Sequence, residues 1–574
     1  MSEFRIKVGQ YRHKQELYRK VMPADISAAR LQNGSPTARN LDVDAGLAPY
    51  TGVFGTNELA HLIKRTQFGC SPEVLNNFSG KSLQDVLIEI LVLDPTPSPP
   101  VNDYNGVEDL GTDPDIPLGE TWITAAFNED FEGPRNLSLK SWWIRQMAAQ
   151  KPTIHEKMIL FWHNLLPIQV WDIFISKASF QYVDMLRTHA LGNFKELIRE
   201  LTLNPAMLIY LNGAFNNRVA PDENYGRELQ ELFCIGKGPG SAYAELDVQS
   251  AAKVLTGWTI EWETLEFEGT PTSYFEPWLH DTSDKSFSSF YDNKIITGKE
   301  EQAGAEELDE LLDMIFVNDE SAMHLARRLY SFFVYNSISE STEQNVIAPL
   351  AQIIRDNDFD VLPALQMLLG SEHFFHLEII GAQIKNPADF TLGYWKAMDL
   401  PMDEPDSPAA FTVQSGLLWQ MSQIGMEIGD PPNVAGWPAY YQAPQFDKSW
   451  ITTDSITNRA VQTDSLIFWG FYVSEDRQIN VDLLAFLEQL NRPDDINLML
   501  AEVSQLLLGI PLTQGQIDTL KGILLSGQQN DDYWNTAWIL YQQDKNNVEY
   551  QNVLLNRLRP AFQQLLQLGE AQLM

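Results

Sequence analysis

A chain of 574 residues with 44% hydrophobic content can bury a large core, and its length points to two or more structural units rather than one compact domain. Its 40 basic against 77 acidic residues leave a net charge of −37, which disfavours nucleic acid and anionic membrane surfaces because both would repel it. An acidic surface suits solubility, a saline environment or cation association, and colloidal solubility is the plainest of the three.

Residues 1–48 read as an arm: the spacing allows a short helix over Lys14–Val21, and Asn33-Gly34-Ser35-Pro36 is turn chemistry. From Asn57, residues Leu59, Leu62 and Ile63 fall at helical spacing, and Ser71-Pro72-Glu73 starts another helix after Gly69. Asp85–Leu93 is apolar and stops at the stiff run Pro95–Pro100, and residues 101–135 read as loop. A second core block begins at Ser138 and includes Trp142, Trp143 and a helix over Ile154–Leu165 with Met158, Phe161, Trp162 and Leu165 on one face. Helices follow at Phe180–Ala190, Phe194–Thr202 and Asp247–Gly257.

The texture then changes. Aromatic residues from Trp258 to Tyr291 sit among acids, Ser and Thr, which predicts a β-hairpin or long aromatic loop near 259–300, a feature that often lies over a binding site. Residues 303–317, 320–336, 344–356 and 360–371 return to helical period, as do the stretch after Lys385-Asn386-Pro387 and Phe411–Ile428. Pro431–Pro438 cannot be regular structure, because its prolines lack donors and fix φ, so it forms a rigid loop able to wall a pocket with Asn433 and Trp437. Beyond it, Val481–Leu490, Ile496–Leu508, Thr513–Leu525, Asp532–Gln543 and Tyr550–Leu568 predict a packed bundle. The expected architecture is therefore mainly α, a multi-helix array with a small β or irregular aromatic insert, divided into an arm (1–48), a helical core (49–465) and a C-terminal bundle (466–574).

The densest chemistry lies in Asp222–Gly236. Asp222 is a natural N-cap, Glu223 suits the positive end of the helix dipole, and Gly236 is the stop. Tyr225, Leu229 and Leu232, with Phe233 beside them, form a core-facing stripe. Glu223, Arg227 and Glu231 can form an ion-pair ladder, whereas Asn224, Glu228 and Glu231 line a face able to gather a cation or a substrate hydroxyl. If buried, Glu228 and Glu231 repel unless a positive group lies between them, or one takes up a proton. Arg227 points about 100° away from Glu228, which leaves Arg187, Lys285 or a metal ion.

Two further constellations carry candidate chemistry. Glu156 and His163 lie on one helical stripe about 10 Å apart, so that one could bind what the other orients, or His163 could be a core histidine bonded to a carbonyl. His280-Asp281 is either a base oriented by a carboxylate, a metal ligand, or a loop anchored by an Asx turn. Candidate catalytic residues are thus Glu228, Glu231, His163, His280 and Asp281. Candidate ligand-binding residues are Glu156, Arg187, Glu223, Asn224, Arg227, Trp258, Lys285, Asn433 and Trp437, with Glu228, Glu231 and His163 the candidate ligands of a divalent cation.

The Asp222–Gly236 run resembles the signature of the bacterial "domain of unknown function 1800" family, an Asn-Glu-Asn-aromatic-small-Arg-Glu-x-x-Glu-Leu-Phe segment followed by Gly. Ala60–Gly69, Glu156–Met158 with Phe161–Asn164, Leu191–Phe194, Asn204–Leu208, Leu255–Trp258, His280-Asp281 and Pro431–Pro438 match further segments in the same order, over roughly residues 55–465. Where the family continues His-Asn-His-Phe, this chain has His163-Asn164-Leu165-Leu166, so a two-histidine metal site at that turn is ruled out. The resemblance implies a companion protein of phosphatase- or sulfatase-like fold, because genes of the two families often neighbour one another.

Two classes of function remain open. In one, Glu156, His163, Glu223, Asn224, Glu228, Glu231, His280 and Asp281 converge on a pocket for acid–base or divalent-cation chemistry, as in a hydrolase or oxidase. In the other they are a structural network in a binding or assembly component. No P-loop, GxGxxG after a strand, GxSxG or HExxH occurs. Cys70 and Cys234 belong to no CxxC or Cys/His cluster and are expected as buried thiols. Residues 1–24 lack the apolar core of a secretion signal, which favours a cytoplasmic location, although many relatives look exported, and no stretch is apolar enough to cross a bilayer.

Overall fold

A computed structural model describes Val43 and residues 45–402, 406–474 and 477–574. The expected arm, with Lys14–Val21 and the turn at Asn33–Pro36, lies outside the described residues except for Val43 and 45–48. Helix accounts for 56% of the structure, and the strands among the described residues form three two-stranded antiparallel ribbons, so the chain is mainly α. Helix starts are set locally: Ser71, Asn193, Asn204, Asp222, Asn318, Asn386 and Ser407 each accept a hydrogen bond from a backbone N–H two or three residues on.

The helices that frame the chemistry are α1 (Thr56–Thr66), α2 (Glu132–Ala149), α3 (His155–Leu165), α4 (Ser176–Thr188), α5 (Glu223–Glu228), α6 (Glu245–Val254), α7 (Pro387–Ala397), α8 (Pro408–Ser422), α9 (Ile496–Leu507) and α10 (Val548–Leu566). The α2 helix packs along α8 and against α4, α3 packs on α4, α5 packs on α6, and α9 reaches back to α1. Apolar side chains from Val43 to Ala571 form one contiguous cluster, which the helices after residue 466 share. Both cysteines are buried and free.

The clearest differences from expectation are two helix boundaries and an added ribbon. The block expected from Ser138 starts at Glu132, because Pro134 falls within the first helical turn, where its missing N–H removes no intrahelical bond. Instead of running to Ile428, α8 ends at Ser422, and Gly425 and Gly429 follow with φ of +104° and +88°. The ribbon pairing Phe471–Ser474 with Arg477–Ile479 interrupts the C-terminal helices. The aromatic insert is itself two ribbons, Trp258–Ile260 with Ser273–Phe275 and Lys285–Ser286 with Ile295–Ile296, joined by short helical turns.

A buried polar knot ties distant segments together. Lys157 of α3 donates to Asp389 of α7, which also accepts from Asn386 Nδ2 at 2.6 Å. Arg65 of α1 donates to Gln383 and to the Ile379 carbonyl, and Arg459 donates to the Lys385 carbonyl at 2.8 Å and to Gln572 Oε1 at 3.2 Å. Burial raises the Asp389 carboxyl and lowers the Lys157 ammonium, and their mutual attraction opposes both shifts. Removing one partner strands a buried charge. We expect Asp389→Asn to cost about 3–5 kcal/mol, read as a lowered urea midpoint, and Asp389→Asn with Lys157→Met to recover much of that loss.

Candidate functional site

The signature segment is built as the sequence implies at its start and differently at its end. The Asp222 carboxylate accepts the Asn224 N–H at 2.8 Å, and Gly236 closes the segment with φ of +78°. Gly226 lets α5 lie against α6, since a Cβ there would sit 3.1 Å from the Ala252 nitrogen. Leu229–Cys234, however, is a π-turn, which winds wider than an α-helix and shifts the inward stripe. Gln230 is thereby fully buried, while Leu232 is only half-buried. The Gln230 amide donates to the Gly226 carbonyl at 3.0 Å, and its Oε1 accepts from Tyr291 of the insert at 2.9 Å. Asp247 takes the Ser288 N–H and hydroxyl at 2.6 and 2.7 Å, so the insert is fastened to the signature through Gln230 and to α6 through Asp247.

The acids of the segment separate. Arg227 pairs with Glu223 at 3.0 Å and with Glu245 of α6 at 2.7 Å, on the solvent side. Glu231 pairs with Lys237 and accepts from Tyr243 at 3.1 Å. Asn224 donates to the Leu211 carbonyl at 3.4 Å. Glu228 is half-buried and, among the described residues, has neither hydrogen bond nor ion pair. Burial and the Glu231 charge raise its carboxyl, against the pull of Lys237 and Arg227. Lys237, just past the end of the π-turn, is the cation beside these two acids, paired with Glu231 and not with Glu228. Arg187 and Lys285 are engaged elsewhere.

Arg187 on α4 holds Glu156 of α3 through both guanidinium nitrogens, with Nη2 at 3.2 Å, and stacks on Trp142. His163, two turns further along α3, lies in a different environment. The Tyr182 hydroxyl donates to the Leu166 carbonyl at 2.7 Å, so His163 Nδ1–H donates to the Tyr182 oxygen at 2.9 Å. Its Nε2 is buried with no partner among the described residues, and the ring is enclosed by Trp143 and Trp437. Burial, with the charge of Lys140, holds His163 down to about 3 and keeps the imidazole neutral.

The proline-rich loop closes over this turn. Asn164 Oδ1 accepts the Trp437 N–H at 3.0 Å, and a Cβ on Gly436 would meet the Asn164 carbonyl oxygen at 2.2 Å. Asn433 is exposed and shapes the loop itself, accepting from the Ala435 N–H at 2.8 Å and donating to Tyr441 at 3.0 Å. Lys140, Glu427 and Asp430 anchor its base, with Lys140 over the Trp171 ring at 4.4 Å.

His280 belongs to a third group. Its Nε2 bonds to Glu307 at 3.1 Å and its Nδ1 to the Thr256 carbonyl at 2.8 Å, and Lys285 shares the same carboxylate at 2.5 Å. Burial raises Glu307, but hydrogen bonds from His280, Lys285 and the Lys299 N–H outweigh it and hold this carboxyl below its ordinary value. Asp281 accepts from the Ser283 N–H at 2.8 Å as an Asx turn. Trp258 packs edge-on against Phe275. Neither Glu228 nor His163 is among the bonding partners of His280.

The sequence candidates therefore fall into separate bonded groups, and among the described residues no three His, Cys, Asp or Glu side chains are placed to hold a metal ion. Gln230, Asp247, Tyr182, Lys237 and Glu307, which do much of the bonding, carry no signal in the sequence that singles them out. We expect Glu228→Gln to leave the fold intact. The parent gives up stability as pH rises through the raised carboxyl value, whereas Gln does not titrate. The melting temperature of the variant minus that of the parent should thus increase between about pH 4 and about pH 7; a decrease would reveal a cation bound to Glu228.

A family model described as "Protein of unknown function (DUF1800)" matches residues 61–570, so the match runs through the C-terminal helices, past the residue near 465 where the motif resemblance ends. No curated protein and no solved structure matches the chain.

Proposed function

Because the chain belongs to the DUF1800 family of proteins of unknown function, we propose its role from its own geometry, as a binding component that acts with a partner protein. The observation that carries this reading is an apolar face on the insert and the loop beside it. Val219 is 88% exposed and Trp278 63% exposed, with Tyr274 and Phe215 also open to solvent. These residues are rigidly mounted: the Arg218 N–H donates to the Leu279 carbonyl at 2.7 Å, and Thr259, paired with Tyr274 across the ribbon, donates to the Ala214 carbonyl at 3.1 Å. Exposed aromatics on a fixed support are what protein interfaces use as anchors.

The partner that fits is the phosphatase- or sulfatase-like companion implied by the family resemblance. Affinity between the two purified proteins tests it. Trp278→Asp should weaken binding by about thirtyfold or more, the loss of a hot-spot aromatic, without moving the melting temperature. Unchanged affinity would overturn the proposal.

A second reading, an enzyme of hydrolase or oxidase type using acid–base or divalent-cation chemistry, draws support from Glu228, whose raised and unpaired carboxyl resembles a group poised to exchange a proton. Elemental analysis of the parent and of Glu228→Gln separates the two: metal retained by the parent and lost by the variant favours the enzyme.

A further inference from the structure

Apart from Arg65 of the polar knot, the segment Ala60–Gly69 plays no part in the groups above, yet it lines a cavity of about 320 Å³ between α1 and the C-terminal helices. That volume lies at the lower end of the range of about 300–1,000 Å³ found for small-molecule sites. Its apolar walls include Ile380, Leu500, Leu512 and Ile517, and Leu377 stands at its edge 84% exposed. Lys64 lines the same cavity. Its ammonium carries three donors, of which two go to the carbonyls of Gln505 and Leu508. Among the described residues no carboxylate lies within ion-pair distance of it. The acidic side chain that lines the cavity, Glu58, turns Oε2 to the Gly55 N–H at 3.0 Å.

A buried cation without a counterion beside an apolar space is half of a recognition site. We infer that this cavity binds an amphipathic carboxylate, a fatty-acid-like anion whose head pairs with Lys64 and whose chain lies along Leu500, Leu512 and Ile517. The ligand chemistry follows from both ends: a neutral alcohol would fill the apolar part and leave the charge unmatched, and a polar anion would leave the apolar walls bare. Burial lowers Lys64 to about 8, which shows how poorly its charge is solvated without a counterion.

Calorimetry on the full chain with octanoate and 1-octanol tests the inference. Octanoate should bind at least about tenfold more tightly than 1-octanol, the contribution of a charge-assisted hydrogen bond. Lys64→Met should bring octanoate down to the level of 1-octanol. Ala501→Trp, which places an indole at the cavity wall from an exposed position on α9 and leaves Lys64 itself unchanged, should abolish binding of both. Equal affinities in the parent, no binding of octanoate, or octanoate binding that survives Ala501→Trp would each overturn it. If Lys64→Met does not fold, the parent comparison and Ala501→Trp decide.

Discussion

The structure depends on the handling of buried charge. In a chain whose surface is overwhelmingly acidic, the deep interior is rich in cations: Arg65, Lys157, Lys385 and Arg459 gather where Asp389 supplies the central carboxylate. Desolvating them is costly, and each is met by a carbonyl, an amide or Asp389. Those acceptors lie far apart in sequence, so satisfying them brings α1, α3, α7 and the C-terminal segment to one place. Hydrophobic burial drives the collapse, and the polar knot fixes which helices meet.

Much of this was legible in the sequence because helices announce themselves locally. The apolar period, the capping Asp222 and the prolines at first turns marked where most of the helices lie. What the sequence hid was pairing over distance. Glu307 reaches His280 and Lys285, and Tyr182 reaches His163, yet nothing at either position signals its partner. The inward placement of Gln230 was hidden for another reason: a 3.6-residue period cannot describe a π-turn.

The same distinction explains the candidate site. Residues grouped by a helical stripe, such as Glu156 and His163, proved to serve separate neighbours on α4, one an arginine and the other a tyrosine. Arg227 does span Glu223 as the spacing implies, but its better-placed partner is Glu245, one helix later. Spacing identified side chains able to meet; the packing of α5 on α6 and of α3 on α4 selected which did.

The π-turn at Leu229–Cys234 has a consequence for how this segment can change over time. It holds one more residue than an α-helical turn, so a single deletion there would restore ordinary winding and leave the residues beyond it in their present direction. A deletion that spared Gln230 would keep the acceptor for the Tyr291 hydroxyl, whereas one that removed Gln230 would take away the contact that secures the insert. The extra residue is therefore a point at which length can change by one while register is kept, and the identity of Gln230 is the tighter constraint.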